Sequence, residues 1–152
     1  MLLYKTKGQI PKNEYTLPIG EAEVKREGRN ITVVTYSLMV HRYLSAAEKL
    51  SEEGIDAEVI DLKTLSPFDL KTVVNSVKKT NKVVIVHQAC LTGGLGAEIG
   101  MRMVEAAFDY LDSPIKRIGS LDVPVPFSPL LEDFVVPTEE KIAEEIKKMV
   151  GK

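Results

Sequence analysis

Hydrophobic residues along the chain alternate between short β-branched runs and longer stretches with helical spacing. The run at residues 83–86 is unbroken, which is typical of a strand covered on both faces in the middle of a parallel sheet. Shorter runs predict four further strands, the first of them a short edge strand. These four strands are predicted over residues 21–26, 31–35, 57–62 and 115–118.

Apolar positions three and four apart predict a helix after most of these strands. The first is predicted over residues 39–53, and a later one over residues 98–111 after a glycine-rich turn. Ser66 and Pro67 have the form of a helix start, with serine as the N-cap and proline at the first helical position. The last helix is predicted to begin after Thr138.

The proline-dense residues 123–129 predict a loop without regular helix, and we expect Phe127 to anchor it. Residues 1–20 contain glycine and proline without a sustained apolar period, so they are predicted to form an extended arm before a domain at 21–152. The strand and helix alternation predicts a three-layer α/β/α domain with a mainly parallel sheet. Ligands and partners of such sheets usually meet the carboxyl ends of the strands.

Composition narrows the function classes. The chain has 152 residues, 44% of them hydrophobic, and a net charge of −2, which gives no support for binding nucleic acid or an anionic membrane. A single cysteine excludes an intramolecular disulfide and a cysteine-based zinc site. No signal peptide or membrane-spanning run is visible, so we expect a cytoplasmic protein.

The glycine-rich turn at Gly93, Gly94 and Gly96 precedes a predicted helix, and its exposed amides are a candidate phosphate site. Its spacing does not match the dinucleotide-binding fingerprint, and close packing of helix on sheet is the favoured explanation. His87 and Cys90 raise the possibility of a thiol nucleophile with its base, but a separation of three residues does not guarantee contact.

Two histidines are candidates for a partner surface, because His41 and His87 are both predicted near the carboxyl edge of the sheet. Ser37 lacks the surroundings of a hydrolase nucleophile. No catalytic, cofactor-binding or metal-ligating residue is predicted in this chain from these patterns. The possible sheet-edge site therefore consists of His41, His87, Gly93 and Gly94.

Four segments carry a resemblance to a known family. They read LLYKTKGQIPKNEYTLPIGEAEVKREGRNITVVTYSLMVH, EVIDLKTLSPFDLKTV, KVVIVHQACLTGGLGAEI and SPIKRIGSLDVPVPFSPLLEDFVVPT, in that order. Together they resemble the C-terminal half of the β subunit of thiamine-dependent 2-oxo acid dehydrogenases. That group comprises the E1 components of the pyruvate, branched-chain 2-oxo acid and acetoin dehydrogenase complexes, and the same domain closes transketolases.

The resemblance implies a five-stranded mixed sheet whose first strand is antiparallel. It also implies an oxidoreductase in which an α subunit holds thiamine diphosphate and magnesium, and in which the N-terminal β domain activates the cofactor. This sequence has no G-D-G triplet, and the thiamine-binding β domain does not precede Leu2. We therefore expect this chain alone to bind no thiamine diphosphate and to decarboxylate no 2-oxo acid.

The implied role is assembly and docking within a multienzyme complex. The implied partners are the E1 α subunit, the thiamine-binding β domain, a second β subunit in a homodimer, and the subunit-binding domain of the dihydrolipoyl acyltransferase. Asp112 matches a family acid for that last contact, and a solvated helix end is the alternative reading. Two other classes stay open: the small subunit of a split transketolase-like enzyme, and a stand-alone anion-binding regulatory module around His87 and Gly93.

Overall fold

A computed structural model describes residues 7–9 and 11–151 of the chain. The described residues form five strands, five α-helices and one 3-10 turn. In chain order these are β1 (Glu23–Arg26), β2 (Ile31–Thr35), α1 (Leu38–Glu52), β3 (Ala57–Asp61), α2 (Leu70–Thr80), β4 (Val83–Cys90), α3 (Leu95–Ala107), the 3-10 turn (Phe108–Tyr110), β5 (Lys116–Ser120), α4 (Pro129–Val135) and α5 (Glu139–Val150).

The strands form one mixed sheet in the order β1-β3-β2-β4-β5. β1 pairs antiparallel with β3 at the edge, and the three other pairings are parallel. Parallel neighbours need a crossover connection, and helices supply it between β2, β3, β4 and β5. The predicted mixed five-stranded sheet with one antiparallel edge strand is confirmed.

Two apolar layers cover the sheet, one on each face. Met39 and Tyr43 of α1 pack with Ile142 and Ile146 of α5 on the first face. α2 and α3 cover the second face with a separate cluster of buried side chains. Alternate residues of β2 belong to the two different clusters, because successive side chains of a strand point to opposite faces of the sheet. The predicted three-layer α/β/α architecture is confirmed.

The start of α2 differs from the prediction. The N-cap is Asp69, whose carboxylate accepts hydrogen bonds from the Thr72 N–H at 3.0 Å and the Thr72 hydroxyl at 2.7 Å. The same carboxylate accepts the Ala22 N–H at 2.9 Å and so ties the entry of β1 to this helix. The prediction that Ser66 caps this helix is wrong, because a carboxylate three residues later satisfies the free amides instead.

The predicted loop at residues 123–129 leads into a helix that the sequence did not predict. Pro129 opens α4 at a position where its missing N–H is not needed. Val135 and Val136 are buried and hold this segment to the domain. The expectation that Phe127 anchors the loop is wrong, because its side chain is fully exposed. Val135 and Val136 are the buried side chains that anchor this segment.

Residues 11–20 contain no helix or strand, and Tyr15, Leu17 and Ile19 are exposed. The arm joins the domain where the Gly20 N–H donates to the Thr64 hydroxyl at 2.9 Å. The expectations placed on residues 1–6, 10 and 152 lie outside the described residues. Among the described residues, no helix has the length and apolar character needed to cross a membrane.

Candidate functional site

His87 lies inside β4, three residues before the strand ends at Cys90. Its imidazole is 0% exposed, and neither ring nitrogen has a hydrogen-bond partner among the described residues. The ring stacks on Tyr36, with 6.5 Å between the ring centroids and 3° between the planes. A buried polar group without a partner costs free energy, so the surrounding packing must stabilise the fold enough to offset it.

Three glycines bring backbone directly against this ring. A Cβ built on Gly94 or Gly119 would lie 2.9 or 3.0 Å from His87 Cε1, and one built on Gly96 would overlap the ring. Real Cβ atoms do not approach other atoms so closely, hence only glycine fits at Gly96 while the ring keeps its place. Close packing against the Cys90 carbonyl and the His87 ring therefore accounts for Gly94 and Gly96, whereas Gly93 has open space around its Cβ position and a φ of +71°. We call His87, Gly94, Gly96 and Gly119 the glycine cage.

Burial lowers the pKa of His87, because an imidazolium would lose its hydration inside the cage. The Ala89 backbone opposes this shift of the pKa, and the positive charge of Arg117 adds to it. The Nε2 atom faces Gly96, and neither ring nitrogen has a hydrogen-bond partner among the described residues. His87 is consequently a neutral, buried ring at neutral pH.

Asp122 lies next to the glycine-rich turn. Asp122 accepts hydrogen bonds from the Thr92 N–H at 3.0 Å and the Thr92 hydroxyl at 2.6 Å. These hydrogen bonds lower the pKa of Asp122, so the carboxylate is charged. Gly93 is exposed beside it with φ +71°. A fixed negative charge next to the free amides of α3 disfavours a bound anion.

The other polar candidates do not converge on His87. The Cys90 thiol donates to the Leu121 carbonyl at 3.3 Å, so it forms no thiol–imidazole pair with His87. His41 is exposed on α1 while His87 is buried, and the two rings do not present one surface in this fold. Ser37 has a strained backbone with φ 58° and ψ −136°, but its hydroxyl contacts no histidine among the described residues.

Asp112 follows the 3-10 turn and is fixed through its backbone. The Asp112 N–H donates to the Asn81 carbonyl at 2.9 Å, and the Asn81 side chain donates to the Tyr110 carbonyl at 2.7 Å. The Asp112 side chain is exposed and makes no ion pair with the described residues. The position is thus rigid, while the charge remains available to a partner.

A groove of about 400 Å³ opens beside this carboxylate, and we call it the acid groove. It is lined by Val104, Phe108, Leu111, Asp112, Ser113, Pro114 and Ile115. Phe108 is 68% exposed within it, and the Ser113 hydroxyl is buried with no hydrogen-bond partner among the described residues. Glu105 of α3 and Asp109 of the 3-10 turn, each next in sequence to a lining residue, are also exposed. The groove thus combines an apolar floor with negative charge.

A second surface follows β5. Seven apolar side chains are exposed there, and we call them the proline face: Leu121, Val123, Val125, Phe127, Leu130, Leu131 and Phe134. Sequence reasoning missed this surface, because the prolines masked the start of α4 and Phe127 was expected to be buried. The apolar spacing of residues 130, 131 and 134 was the available signal, since it places three side chains on one helical face.

No group of three or more metal-ligating side chains comes together in the part of the chain that the structure describes. The conspicuous features of the described residues are the exposed acid groove, the exposed proline face and the closed glycine cage.

Comparison with known proteins defines the class. Residues 20–142 match the family described as the transketolase C-terminal domain, and the chain belongs to that family. The sequence is also similar to the pyruvate dehydrogenase E1 component subunit beta of Dictyostelium discoideum mitochondria, at 46% identity over 97% of this chain and 43% of that protein. It is 42% identical, over 96% of this chain, to the acetoin:2,6-dichlorophenolindophenol oxidoreductase subunit beta of Cupriavidus necator, of which 43% is covered.

Among solved structures, the chain resembles a split-gene transketolase in an inactive β4 tetramer. The TM-score is 0.77 and the sequence identity 28%, over 87% of this chain and 43% of that one. The chain thus corresponds to the C-terminal domain of E1 β subunits of 2-oxo acid dehydrogenases, and it spans less than half the length of the relatives it matches. The resemblance read from the four sequence segments is confirmed.

Proposed function

We propose that this chain is the assembly and docking domain of the E1 β subunit of a 2-oxo acid dehydrogenase complex. Such a complex decarboxylates a 2-oxo acid oxidatively and transfers the acyl group to a lipoyl acyltransferase. The observation that carries the proposal is the exposed Asp112 carboxylate, fixed by Asn81 and without an ion pair among the described residues, at the rim of an apolar groove. The similarity to E1 β subunits supports it.

The acid groove suits a small basic domain of the acyltransferase. An arginine or lysine of that domain pairs with Asp112, and a neighbouring aliphatic side chain enters the groove beside Phe108. A charge-assisted hydrogen bond next to an apolar contact gives both orientation and affinity. The exposed Glu105 and Asp109 add a negative field that speeds the encounter with a basic partner.

Thiamine diphosphate and magnesium belong, in this proposal, to the assembled enzyme with its E1 α subunit and its thiamine-binding β domain. The residues described here do not fit the cofactor. Magnesium needs converging carboxylate or other oxygen ligands, and no such cluster forms among these residues. The carboxyl end of β4 is filled by the glycine cage, and the charged Asp122 carboxylate beside the glycine-rich turn would repel a diphosphate there.

Charge reversal at Asp112 tests the docking role. Asp112→Lys is expected to weaken binding of the isolated acyltransferase subunit-binding domain at least about 10-fold, because it places like charges together. Isothermal titration calorimetry measures the affinity. Asp109→Lys is the matched control, since it changes the same charge three residues away and outside the groove lining, and it should cost about 3-fold or less. Equal affinity for wild type and Asp112→Lys would remove Asp112 from the docking site.

Titration of the chain with thiamine diphosphate and magnesium tests the proposal that this chain does not bind the cofactor by itself. No saturable heat is expected, because neither a diphosphate cradle nor a metal cluster is present in the described residues. Binding with a dissociation constant near 1 µM would contradict it.

The runner-up is the small subunit of a split transketolase-like enzyme, completed by a separate thiamine-binding chain. The similarity to the split-gene transketolase favours it. In that case, adding the thiamine-binding chain restores ketol transfer between sugars, whereas the first proposal requires 2-oxo acid decarboxylation. The anion-binding module is not supported by the geometry, because Asp122 is negatively charged beside the candidate amides.

A further inference from the structure

A pocket of about 210 Å³ opens at the carboxyl edge of the sheet, and we call it the edge pocket. It is bordered by the segment at residues 65–68, which follows β3, and by the first two turns of α3, which follows β4. β3 and β4 lie on either side of β2 in the sheet. Ligands of open α/β sheets usually bind outside the carboxyl ends of the strands. The edge pocket therefore occupies a position suited to a ligand, and it shares no residue with the acid groove, the proline face or the glycine cage.

The interior of the edge pocket is apolar. Leu65, Phe68, Leu95 and Ile99 supply this interior. Ile99 is buried in the core of this face of the sheet, and Phe68 and Leu95 pack against that core. An aliphatic group that enters the pocket leaves water and contacts carbon atoms, which is favourable. The volume is below the roughly 300 to 1,000 Å³ of sites for drug-sized ligands, so the ligand must be a small molecule.

Two opposite charges line the same pocket. Arg102 Nε donates to Glu98 Oε1 at 2.7 Å, one turn apart on α3. The other guanidinium nitrogens of Arg102 and the second carboxylate oxygen of Glu98 make no hydrogen bond or ion pair with the described residues. Both side chains are about half exposed, and an exposed pair of this kind contributes little to stability. Each charge is therefore available to a ligand that carries the opposite charge.

We propose that the edge pocket binds a small aliphatic α-amino acid in its zwitterionic form. The ligand carboxylate pairs with the Arg102 guanidinium, whose planar fork suits a carboxylate, and the ligand ammonium pairs with Glu98. The aliphatic side chain enters the apolar interior. A ligand with a carboxylate alone would leave Glu98 facing an added negative charge, so the two charges together select the zwitterion. This site goes beyond the proposed docking role and does not depend on it.

Titration of the chain with L-leucine, followed by two-dimensional NMR of the backbone amides, tests the inference. A dissociation constant of about 1 mM or lower is expected, with shifts concentrated in residues 65–68 and 95–102. 4-Methyl-2-oxopentanoate has the same side chain and carboxylate without the ammonium, and it should bind at least about 10-fold more weakly. L-Asparagine replaces the two methyl groups with a polar amide, and it should bind at least about 10-fold more weakly as well.

Two substitutions at the charges identify the site. Arg102→Gln should raise the dissociation constant of leucine at least about 10-fold, because it removes the partner of the carboxylate. Glu98→Gln should weaken leucine by about 5-fold or more and leave the oxo acid bound equally or more tightly, a reversal that a merely structural role would not produce. Both side chains are exposed, so the far-UV circular dichroism spectrum should stay unchanged.

Lys148→Gln is the matched control, since it breaks another exposed ion pair of the same spacing, with Glu144 of α5, outside the pocket. It should change the affinity for leucine by less than about 2-fold. Absence of saturable shifts up to about 20 mM leucine would overturn the inference. Equal affinity for leucine and the oxo acid would overturn it too, and so would leucine binding that Arg102→Gln does not weaken.

Asp112→Lys separates this inference from the proposed docking role. It should leave the affinity for leucine unchanged, because the acid groove and the edge pocket consist of different residues. A chain that binds the acyltransferase domain but not leucine would overturn the amino acid site and leave the docking role standing. A chain that binds leucine but not that domain would have the opposite meaning.

Discussion

The glycine cage and the proline face lie at the ends of neighbouring strands of one sheet, yet one buries a polar side chain and the other exposes apolar ones. After β4, the turn closes over His87 and buries a polar ring that has no hydrogen-bond partner. After β5, the chain leaves seven apolar side chains in water, with Phe127 fully exposed. Each arrangement costs free energy in the isolated chain.

The two regions differ in whether other residues of the chain cover them. The cage is completed by residues of this chain, because Gly94, Gly96 and Gly119 already fill the space around the ring. The proline face has no such cover among the described residues. Substitutions in the cage should therefore lower the free energy of unfolding, whereas substitutions on the exposed face should change it little.

The largest expected effect is at Gly96. Gly96→Ala should reduce the free energy of unfolding by about 3 kcal/mol, because the added methyl group overlaps the buried His87 ring. Urea denaturation followed by circular dichroism measures the change. Gly100→Ala in the same helix is the control, since its Cβ meets Ile85 at an ordinary 3.4 Å and should gain up to about 1 kcal/mol of helix propensity.

The overlap can be traced to the ring itself with a double-mutant cycle. In a His87→Ala background the ring is gone, so Gly96→Ala should cost much less than in the wild type. An equal cost in both backgrounds would mean that the ring does not require the glycine.

The Glu58 carboxylate offers a contrasting buried polar group, because it has a partner. Its side chain is 3% exposed, pairs with Lys79 and accepts the Gly28 N–H at 3.3 Å. Lys79→Met should cost about 2 kcal/mol of unfolding free energy, reduced from the full value for a buried pair because Lys79 is 41% exposed. Thermal and urea unfolding give the value.

Removing both partners separates the pair from the packing around it. Glu58→Leu combined with Lys79→Met should cost less than Lys79→Met alone, since no unpaired charge stays buried. A double variant less stable than the single one would show that the carboxylate has another structural role.

The smallest effect is the pH dependence of the cage. The pKa of His87 is lowered from its ordinary 6.5, so the folded state binds its proton less readily than the unfolded state does. Stability is therefore complete above about pH 6.5 and falls on acidification, by up to about 1.4 kcal/mol per pH unit until the folded pKa is reached. Denaturation between pH 5 and 7 measures it, above the range in which carboxylates titrate.

His87→Leu should abolish this slope, because it removes the group that gains the proton. A slope that persists in His87→Leu would assign the acid sensitivity to a different group.

Local sequence patterns predicted the helices and strands well where one residue type decides the outcome. The β-branched run of β4 and Thr138 as the N-cap of α5 both lie where the sequence places them. The prediction failed at Ser66, because two competing N-caps lie three residues apart and the contact between Asp69 and Ala22 selects the second.

The candidate site was predictable only in part. Asp112 came from a family resemblance, and the chain's own sequence does not show that its carboxylate lies free beside a groove. His87 was expected at an accessible strand end, but β4 continues to Cys90 and carries the ring inside. The proline face could not be predicted, because hydrophobic periodicity does not distinguish an apolar side chain that packs in the core from one that stays exposed.

By itself the sequence determined the α/β class and most of the sheet, because these follow from local hydrophobic periods, caps and glycine positions that do not depend on distant contacts. The family came from the resemblance carried by four segments of the sequence. The tertiary structure alone decided which polar and apolar groups end up inside. His87 is buried because Gly96 and Gly119, nine and thirty-two residues away, meet over it. Phe127 is exposed because no described segment of the chain returns to cover it, and burial depends on which segments meet in space.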